Sequence, residues 1–390
     1  MKKRICVLTA TRAEYGLLKP IIAKLNNIPE LDLRIAVTGM HLSPEFGLTY
    51  REIEKDNFII DRKIDIGVNS DSHVSVSKSM GLALIGFAKY FDEIKPDMLL
   101  VLGDRYETLA VCCAAMNAGI PIAHLYGGET TEGAIDESIR HSITKMSYLH
   151  FTSTEEYRKR VIQLGEEPDR VYTVGAIGVE NIMNTQLLPL KELEEFVGMS
   201  LSGQFAVVTY HPVTLENDSI RDQFASLLKA CDIHNELKYI FTKANADLHG
   251  RIINLMIDDY ARNHENVAAV TSLGMERYLS ALGHASLVIG NSSSGLIEAP
   301  SFHIPTVNIG NRQKGRLLAE SVISCEADSV EITKAITKAL SEEFRLRISD
   351  IKNPYGNGNT SDKVIETLKN YLFVKEINLK KSFYNINISI

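Results

Sequence analysis

The feature that most constrains the fold of this sequence is a pair of short apolar runs, each followed by a polar turn. The runs are residues 98–102 and 120–125, and the turns are residues 103–107 and 126–133. The runs have the length of buried strands, and the segment between them has the length and composition of a helix. A strand, a helix and a second strand form a βαβ unit with parallel strands, and such sheets bind ligands beyond the carboxyl ends of their strands. The pattern therefore predicts a functional site within residues 101–145.

The same alternation of strands and helices continues through the chain and then restarts. It predicts an α/β protein made of two Rossmann-like domains that face each other across a cleft. We expect an N-terminal domain at residues 1–178, a C-terminal domain at residues 179–372, and a tail at residues 373–390 whose role the sequence does not indicate. The other predicted strands are residues 4–10, 33–37, 148–152, 170–174, 205–210, 237–241, 267–270, 286–289 and 305–309, with a long amphipathic helix at residues 74–94.

Composition excludes several classes of protein. The net charge of −7 argues against a general nucleic-acid binder, which needs clustered lysine and arginine. The five cysteines show no CxxC spacing and are typical of reduced thiols in a core. The basic N-terminus is followed by an apolar run with the length of a strand, and no run is long enough to span a membrane. These observations predict a cytoplasmic enzyme or binding protein.

A glycine-flanked run of serines, residues 290–295, follows one predicted strand and precedes an apolar segment. Small residues at the start of a helix let backbone N–H groups approach a phosphate, and the helix dipole favours its charge. The alternative is a serine N-cap, but a cap needs only one serine. Ser292, Ser293 and Ser294 are therefore candidate phosphate contacts.

Two arginines and a histidine also follow predicted strands. Arg12 ends the first strand without a G-x-G-x-x-G pattern, so no dinucleotide cofactor is expected. Arg312 follows a strand of the second domain, and His211 precedes a proline at another strand end. An arginine in such a position suits a diphosphate, although a surface ion pair or a solvated turn explains it equally well.

Acidic residues and histidines converge at the ends of neighbouring strands. Asp104 and Glu107 have the spacing of a capping box, and Asp136 complements the dipole of the helix that it starts. Several carboxylates beside His124 nevertheless predict an acid–base site, because paired carboxylates can divide the acid and base roles. A metal site is an alternative that no motif spacing supports, and we expect neither a metal nor a cofactor. Its ligands would be His124, Glu129, Asp136 and His141.

With these residues identified, the chain resembles the hydrolysing UDP-N-acetylglucosamine 2-epimerases of bacterial sialic-acid biosynthesis. The resemblance covers residues 3 to 324 and implies a GT-B-like epimerase fold with UDP in the cleft. It is carried, in order, by residues 11–15, 37–41, 102–106, 127–129 with 135–145, 211–214, 290–295 and 312–316.

The resemblance also implies a reaction and a set of site residues. UDP is eliminated across C1–C2 to give a 2-acetamidoglycal, and water then adds with inversion at C2 to release an N-acetylmannosamine-type sugar. The implied catalytic residues are Asp104, Asp136, Glu129 and His124. The implied substrate and UDP contacts are Arg12, His41, Arg105, Arg140, His211, Asn245, Ser292, Ser293, Ser294, Glu298 and Arg312. A homodimer or homotetramer is implied as well.

Two departures from the family pattern refine this interpretation. Non-hydrolysing relatives carry a lysine shortly after the first-strand arginine; here residues 15–17 lack one, which favours the hydrolysing branch. Many hydrolysing members carry a glutamate at the position of Tyr126, so its role is either dispensable here or taken by Glu129, Glu132 or Asp136. Three alternatives stay open: the same reaction on a UDP-2,4-diacetamido-trideoxyhexose of legionaminic-acid pathways, a GT-B glycosyltransferase that uses a UDP-sugar, and a catalytically silent UDP-sugar-binding regulator.

Overall fold

The computed structural model describes residues 2–68, 72–132, 135–212, 220–244 and 250–386. The chain divides into two compact units that are each discontinuous in sequence. Unit 1 comprises residues 1–129, 136–181 and 355–390, and unit 2 comprises residues 130–135 and 182–354.

Unit 1 is built on a parallel sheet of seven strands among its described residues, in the order β3-β2-β1-β4-β5-β6-β7. The strand order reverses between β1 and β4, which is where doubly wound sheets open a crevice for ligands. The strands are β1 Lys3–Thr9, β2 Leu31–Val37, β3 Ile60–Lys63, β4 Met98–Leu102, β5 Ile122–Leu125, β6 Leu149–Thr152 and β7 Val171–Thr173. The helices are α1 Arg12–Asn26, α2 Tyr50–Lys55, α3 His73–Ile94, α4 Tyr106–Asn117, α5 Asp136–Met146, α6 Glu155–Gln163, the start of α7 Ile177–Asn184, and, from the end of the chain, α15 Thr360–Phe373.

Unit 2 repeats this arrangement with a parallel sheet of six strands among its described residues, in the order β10-β9-β8-β11-β12-β13. Here the order reverses between β8 and β11. The strands are β8 Phe205–Thr209, β9 Lys238–Thr242, β10 Val267–Val270, β11 Leu287–Gly290, β12 Thr306–Ile309 and β13 Val322–Cys325. The helices are α8 Leu190–Val197, α9 Ile220–Ile233, α10 Gly250–Asn263, α11 Gly274–His284, α12 Ser294–Ile297, α13 Ser329–Leu340 and α14 Glu342–Arg347.

The strands form because their residues are apolar on both faces. In β1, Ile5 and Val7 pack into one hydrophobic cluster, while Cys6 packs into another on the opposite face. Side chains alternate along a strand, so continuous apolar runs are what a sheet covered by helices on both faces requires. The prediction of two parallel-sheet α/β domains is confirmed.

Near the end of the chain, the boundary between the two units differs from the predicted domain boundary. Residues 355–372 were predicted to belong to the C-terminal domain, but they belong to unit 1. The reason is the apolar stripe of α15, whose Val364 and Leu368 are fully buried in the core of unit 1, where the helix packs on α1. The sequence also missed β3 and β13, whose residues are mostly half-exposed or exposed and lack the apolar run of a central strand. Within the described ranges, no helix combines the length and the hydropathy needed to cross a membrane.

Candidate functional site

A cluster of carboxylates around one buried arginine lies at the carboxyl end of β4. Arg140 is 1% exposed and donates hydrogen bonds to Asp104, to Glu137 at 2.8 Å and to the carbonyl oxygen of Glu129 at 3.0 Å. Burial opposes the charge on Arg140, but the three carboxylates raise its pKa above the ordinary value. The turns after β4 and β5 are thereby tied to the helix that begins at Asp136. The structure thus joins three of the predicted site residues through α5.

The capping explanation does not account for Asp104. Arg105, rather than Asp104, occupies the N-cap position of α4. Arg105 donates from Nε to Glu107 at 2.7 Å, while Asp104 accepts from Arg140. Asp104 is therefore held by a long-range contact with α5, as a positioned reactive group requires. Arg140 was predicted to contact the substrate, but its burial among these carboxylates suits a positioning role.

His124 and Glu129 are both buried beside this cluster. Nε2 of His124 donates to the carbonyl oxygen of Gly103 at 2.8 Å, and its Nδ1 lies 3.4 Å from the hydroxyl of Thr144. Burial lowers the pKa of His124 to about 4, so the ring is neutral at neutral pH. The carboxylate of Glu129 is 2% exposed and accepts from the hydroxyl of Ser153 at 2.9 Å.

Tyr126 stands where the resemblance leads us to expect a glutamate. Its backbone adopts a left-handed conformation with φ of 71°, and its hydroxyl accepts a hydrogen bond from the N–H of Ile177 at 2.9 Å. Its ring packs against the core of unit 1. These contacts give Tyr126 a structural role.

A second acidic pair consists of Glu14 and Glu107, which the sequence did not indicate to be neighbours. Glu14 closes a capping box with Thr11 at the start of α1, and its Oε2 accepts from the N–H groups of Ala10 at 2.7 Å and Thr11 at 3.2 Å. Each glutamate has one buried carboxylate oxygen with no hydrogen-bond partner among the described residues. Burial, reinforced by Glu107, raises the pKa of Glu14 to about 7. The T-x-x-E spacing signals the cap, but nothing in it signals the neighbouring carboxylate.

His41 and Arg12, two predicted UDP contacts, lie near the ends of β1 and β2. The His41 ring is buried, with its nitrogens 3.0 Å from the Thr9 hydroxyl and 2.8 Å from the Thr49 hydroxyl. Burial lowers its pKa to about 4, so His41 supplies no positive charge at neutral pH. Arg12 is the first residue of α1 and lies 3.7 Å from Glu52, with a third of its side chain exposed.

In unit 2, an asparagine joins the ends of β8 and β11. Asn291 is fully buried, accepts from the N–H of His211 at 2.7 Å and donates to the carbonyl of the same residue at 2.8 Å. Gly290 makes this approach possible, because a Cβ atom there would lie 1.9 Å from the carbonyl oxygen of Thr209. The predicted phosphate-binding loop thus begins where two strand ends lie in contact at the reversal of strand order.

The three serines of this loop, Ser292–Ser294, follow Asn291 directly in the sequence. Ser293 precedes the short helix α12, Ser294 is its first residue, and the hydroxyl of Ser292 lies 3.4 Å from the N–H of Ser294. Glu298 comes immediately after this helix. Asn245, another predicted UDP contact, lies outside the described residues.

Arg312 is anchored to the same loop. It donates to the carbonyl oxygen of Asn291 at 3.0 Å, and its neighbour Gln313 donates to that oxygen at 2.8 Å. Asn291 therefore links His211 and Arg312 within unit 2, directly before the serines. Across the part of the chain that the structure describes, no group of three or more histidine, cysteine and acidic residues is arranged to hold a metal ion.

Comparison with known proteins identifies the family. A sequence model of the family described as UDP-N-acetylglucosamine 2-epimerase matches residues 23–369. The chain belongs to this epimerase family. It is 46% identical over 371 residues, with 95% of the chain and 96% of the relative covered, to the GDP/UDP-N,N'-diacetylbacillosamine 2-epimerase (hydrolyzing) of Campylobacter jejuni. It is also 40% identical, with 98% of each protein covered, to the polysialic acid biosynthesis protein P7 of Escherichia coli.

A solved structure of an epimerase from the same family supports the fold. The UDP-GlcNAc 2-epimerase of Neisseria meningitidis, determined with bound UDP-GlcNAc, superposes with a TM-score of 0.81 at 19% identity, covering 94% of this chain and 100% of that one. The predicted GT-B-like epimerase fold class is confirmed, and the chain is an enzyme of the UDP-N-acetylglucosamine 2-epimerase family.

Proposed function

We propose that this epimerase is a hydrolysing enzyme that converts a UDP-activated 2-acetamido sugar into UDP and the free sugar inverted at C2. The observation that carries the proposal is the 46% identity, over nearly the whole of both chains, to a relative whose name specifies a hydrolysing 2-epimerase. The carboxylates held in place by the buried Arg140 support it, because the reaction needs positioned acids and bases.

The first candidate substrate is UDP-N,N'-diacetylbacillosamine, which the name of that relative includes. The second is UDP-GlcNAc, which the description of the family names and which the motif pattern also favours. Both sugars carry a 2-acetamido group and a hydrogen at C2, so one mechanism serves either. The product of the second would be N-acetylmannosamine, a precursor suited to sialic-acid biosynthesis, and the relative involved in polysialic acid biosynthesis supports that option.

We assign the nucleotide to unit 2. Hydroxyl groups of Ser292–Ser294 and the guanidinium of Arg312 suit a diphosphate, since both donate hydrogen bonds to anionic oxygens. Arg312 is held by Asn291, so its position is set before the substrate binds. Preorganised donors stabilise the charge that develops on UDP as it leaves, without the cost of reorienting solvent.

We assign the bond-making steps to unit 1. In the first step a carboxylate, Asp104 or Asp136, removes the proton from C2 while the C1–O bond breaks and its electron pair leaves with UDP. This gives the 2-acetamidoglycal. Arg140 fixes Asp104 in place, and geometry held by such buried contacts contributes much of the rate of a proton transfer.

In the second step water adds to C1 and a proton is delivered to C2 from the opposite face, which inverts that centre and releases the free sugar. Two carboxylic groups with different proton affinities can act as the base and the acid. Glu129 is a buried candidate for one of these roles. His124 is neutral at neutral pH and fully buried, and its hydrogen bond to the carbonyl oxygen of Gly103 suits it to position the turn that carries Asp104.

The test is a product analysis in deuterated water with each UDP-sugar in a separate reaction. We expect the reaction to release UDP and a free sugar that carries deuterium at C2. Phosphorus NMR detects the UDP. An Asp104→Asn variant serves as the control for contaminating activity. Absence of free C2-deuterated sugar from both substrates would contradict the proposal, and a product retained on UDP would instead indicate a non-hydrolysing epimerase.

A further inference from the structure

Unit 1 contains a buried ionic cluster outside the carboxylates that surround Arg140. Glu166, in the loop between α6 and β7, is fully buried and accepts a hydrogen bond from Lys145 of α5 at 2.6 Å. Its other oxygen lies 3.1 Å from Nε2 of His150 and 2.6 Å from the ammonium of Lys381. A carboxylate without solvent contact is stable only when donors of this kind surround it.

Lys381 belongs to the C-terminal tail, residues 374–386, which forms neither helix nor strand. Its ammonium also donates to two backbone carbonyls at the end of α5, at 2.6 and 3.0 Å. The ring of Phe383 lies against Gly165, where a Cβ atom would approach the ring to 2.3 Å. The N–H of Tyr384 donates to the carbonyl oxygen of Gly165 at 2.9 Å. The tail is therefore specifically docked beside Glu166.

This cluster fixes the protonation state of His150. Burial, together with the positive charges of Lys381 and Arg170, lowers the pKa of His150 against the opposing effect of Glu166. Burial disfavours the charge on Glu166, but hydrogen bonds from His150 and the two lysines hold its pKa down at about 2. The neutral His150 ring donates from Nε2 to Glu166, which leaves Nδ1 without a proton.

His150 stands next to His124, one of the residues of the candidate site. The two are register partners on the adjacent parallel strands β6 and β5, so their side chains project from the same face of the sheet. Both rings are fully buried. A proton gained by His150 would lower the pKa of His124 further, so the two rings are electrostatically coupled.

We propose that the tail acts as a latch that positions the candidate site, with Lys381 holding Glu166, Glu166 fixing the orientation of His150, and His150 supporting His124. Lys381, Glu166 and His150 are positioning residues, because they act through His124. The inference rests on the proposed function only in that His124 positions the turn that carries Asp104, a candidate catalytic carboxylate. Without Lys381, Glu166 loses a buried counter-charge and His150 loses a neighbour that disfavours its protonation.

The test compares Lys381→Met, which keeps the length of the side chain, with Lys380→Met at the exposed neighbouring residue and with Lys381→Arg as the rescue. The ring nitrogens of His124 and His150 are followed by nitrogen-15 NMR between pH 5 and 8, with His150→Gln used to assign the signals. Values of kcat and KM are measured on the substrate that the product analysis selects. The charged groups that bear on His150 in this titration are Glu166, Lys145, Lys381 and Arg170, and the neighbouring titratable group is His124.

In Lys381→Met we expect His150 to protonate at higher pH, the ring signals of His124 to move, and kcat to fall about tenfold with little change in KM. Lys381→Arg should restore these properties, and Lys380→Met should leave them unchanged. Unmoved His124 signals, or an unchanged kcat, would overturn the latch even if the melting temperature fell. If Lys381→Met fails to fold, Phe383→Ala loosens the tail without removing an ionisable group and is judged by the same signals.

Failure of this proposal and failure of the proposed function are distinguishable. The NMR measurement needs no turnover, so it tests the link from the tail to His124 even if neither UDP-sugar reacts. If the wild type turns over a substrate and Lys381→Met has the same kcat, the proposed function stands and the latch is refuted.

Discussion

Glu14 gives a quantitative test of the buried acidic pair. Its carboxyl is buried beside Glu107, and its pKa rises from an ordinary value of 4.5 to about 7. In the unfolded chain the group ionises near the ordinary value, whereas in the folded protein it keeps its proton until pH 7. A folded pKa above the unfolded one means that stability falls as pH rises from about 4.5 to 7 and then levels off.

The size of the effect follows from the two pKa values. At alkaline pH the ionised Glu14 destabilises the fold by about 3 kcal/mol relative to a group with an unperturbed pKa. Between pH 5 and pH 8 the change is about 2 kcal/mol. Glu14→Gln removes the ionisation but keeps a side-chain oxygen. That oxygen can still accept the hydrogen bonds that the N–H groups of Ala10 and Thr11 donate to Glu14 in the wild type.

The assay is urea-induced unfolding at pH 5 and pH 8 for wild type, for Glu14→Gln and for Glu30→Gln at an exposed site of the same unit. Amide hydrogen exchange in α1 reports the stability of unit 1 separately from that of unit 2. We expect Glu14→Gln to gain stability over wild type at pH 8 but much less at pH 5. An equal pH dependence in wild type and Glu14→Gln would refute the argument that this carboxyl is buried with a raised pKa.

Three further predictions address the site. Asp104→Asn should lower turnover at least about a hundredfold while UDP affinity, measured by calorimetry, stays the same, because the amide cannot accept the C2 proton; turnover near the wild-type rate would show that Asp104 only binds Arg140. Arg312→Ala should weaken UDP binding about tenfold in the same calorimetric experiment, and unchanged affinity would remove it from the nucleotide site. Gly290→Ala should prevent native folding of unit 2, because its Cβ would lie 1.9 Å from a backbone oxygen; a native melting temperature and circular dichroism spectrum would contradict the close packing of β8 and β11.

Much of the architecture could be predicted from the sequence because strands buried on both faces leave continuous apolar runs, and helices between them leave a helical period. Contacts between segments that are distant in the sequence could not be predicted in this way. Asp104 and Glu107 have the spacing of a helix cap, yet the structure gives each a different arginine partner. The resemblance implied that His41 contacts UDP, but the burial of its ring and its two hydroxyl partners are visible only in the structure. Local sequence reports a residue's type, whereas its charge depends on neighbours far along the chain.

The same limit applies to the final helix. The apolar stripe of α15 predicts that the helix is buried, but it does not identify the sheet on which it packs. Lys381 and Glu166 are 215 residues apart, and no local pattern links a lysine of the tail to a glutamate in a loop. Docked contacts of this kind become visible only in three dimensions.

The return of α15 to unit 1 has a consequence for the order in which the protein folds as it is synthesised. Val364 and Leu368 are fully buried parts of the unit 1 core, yet they are translated after the whole of unit 2. Domains generally fold as units as they leave the ribosome. Unit 2 therefore has its complete sequence before unit 1 does, and the nascent first unit must wait, with part of its core uncovered, for the last segment of the chain.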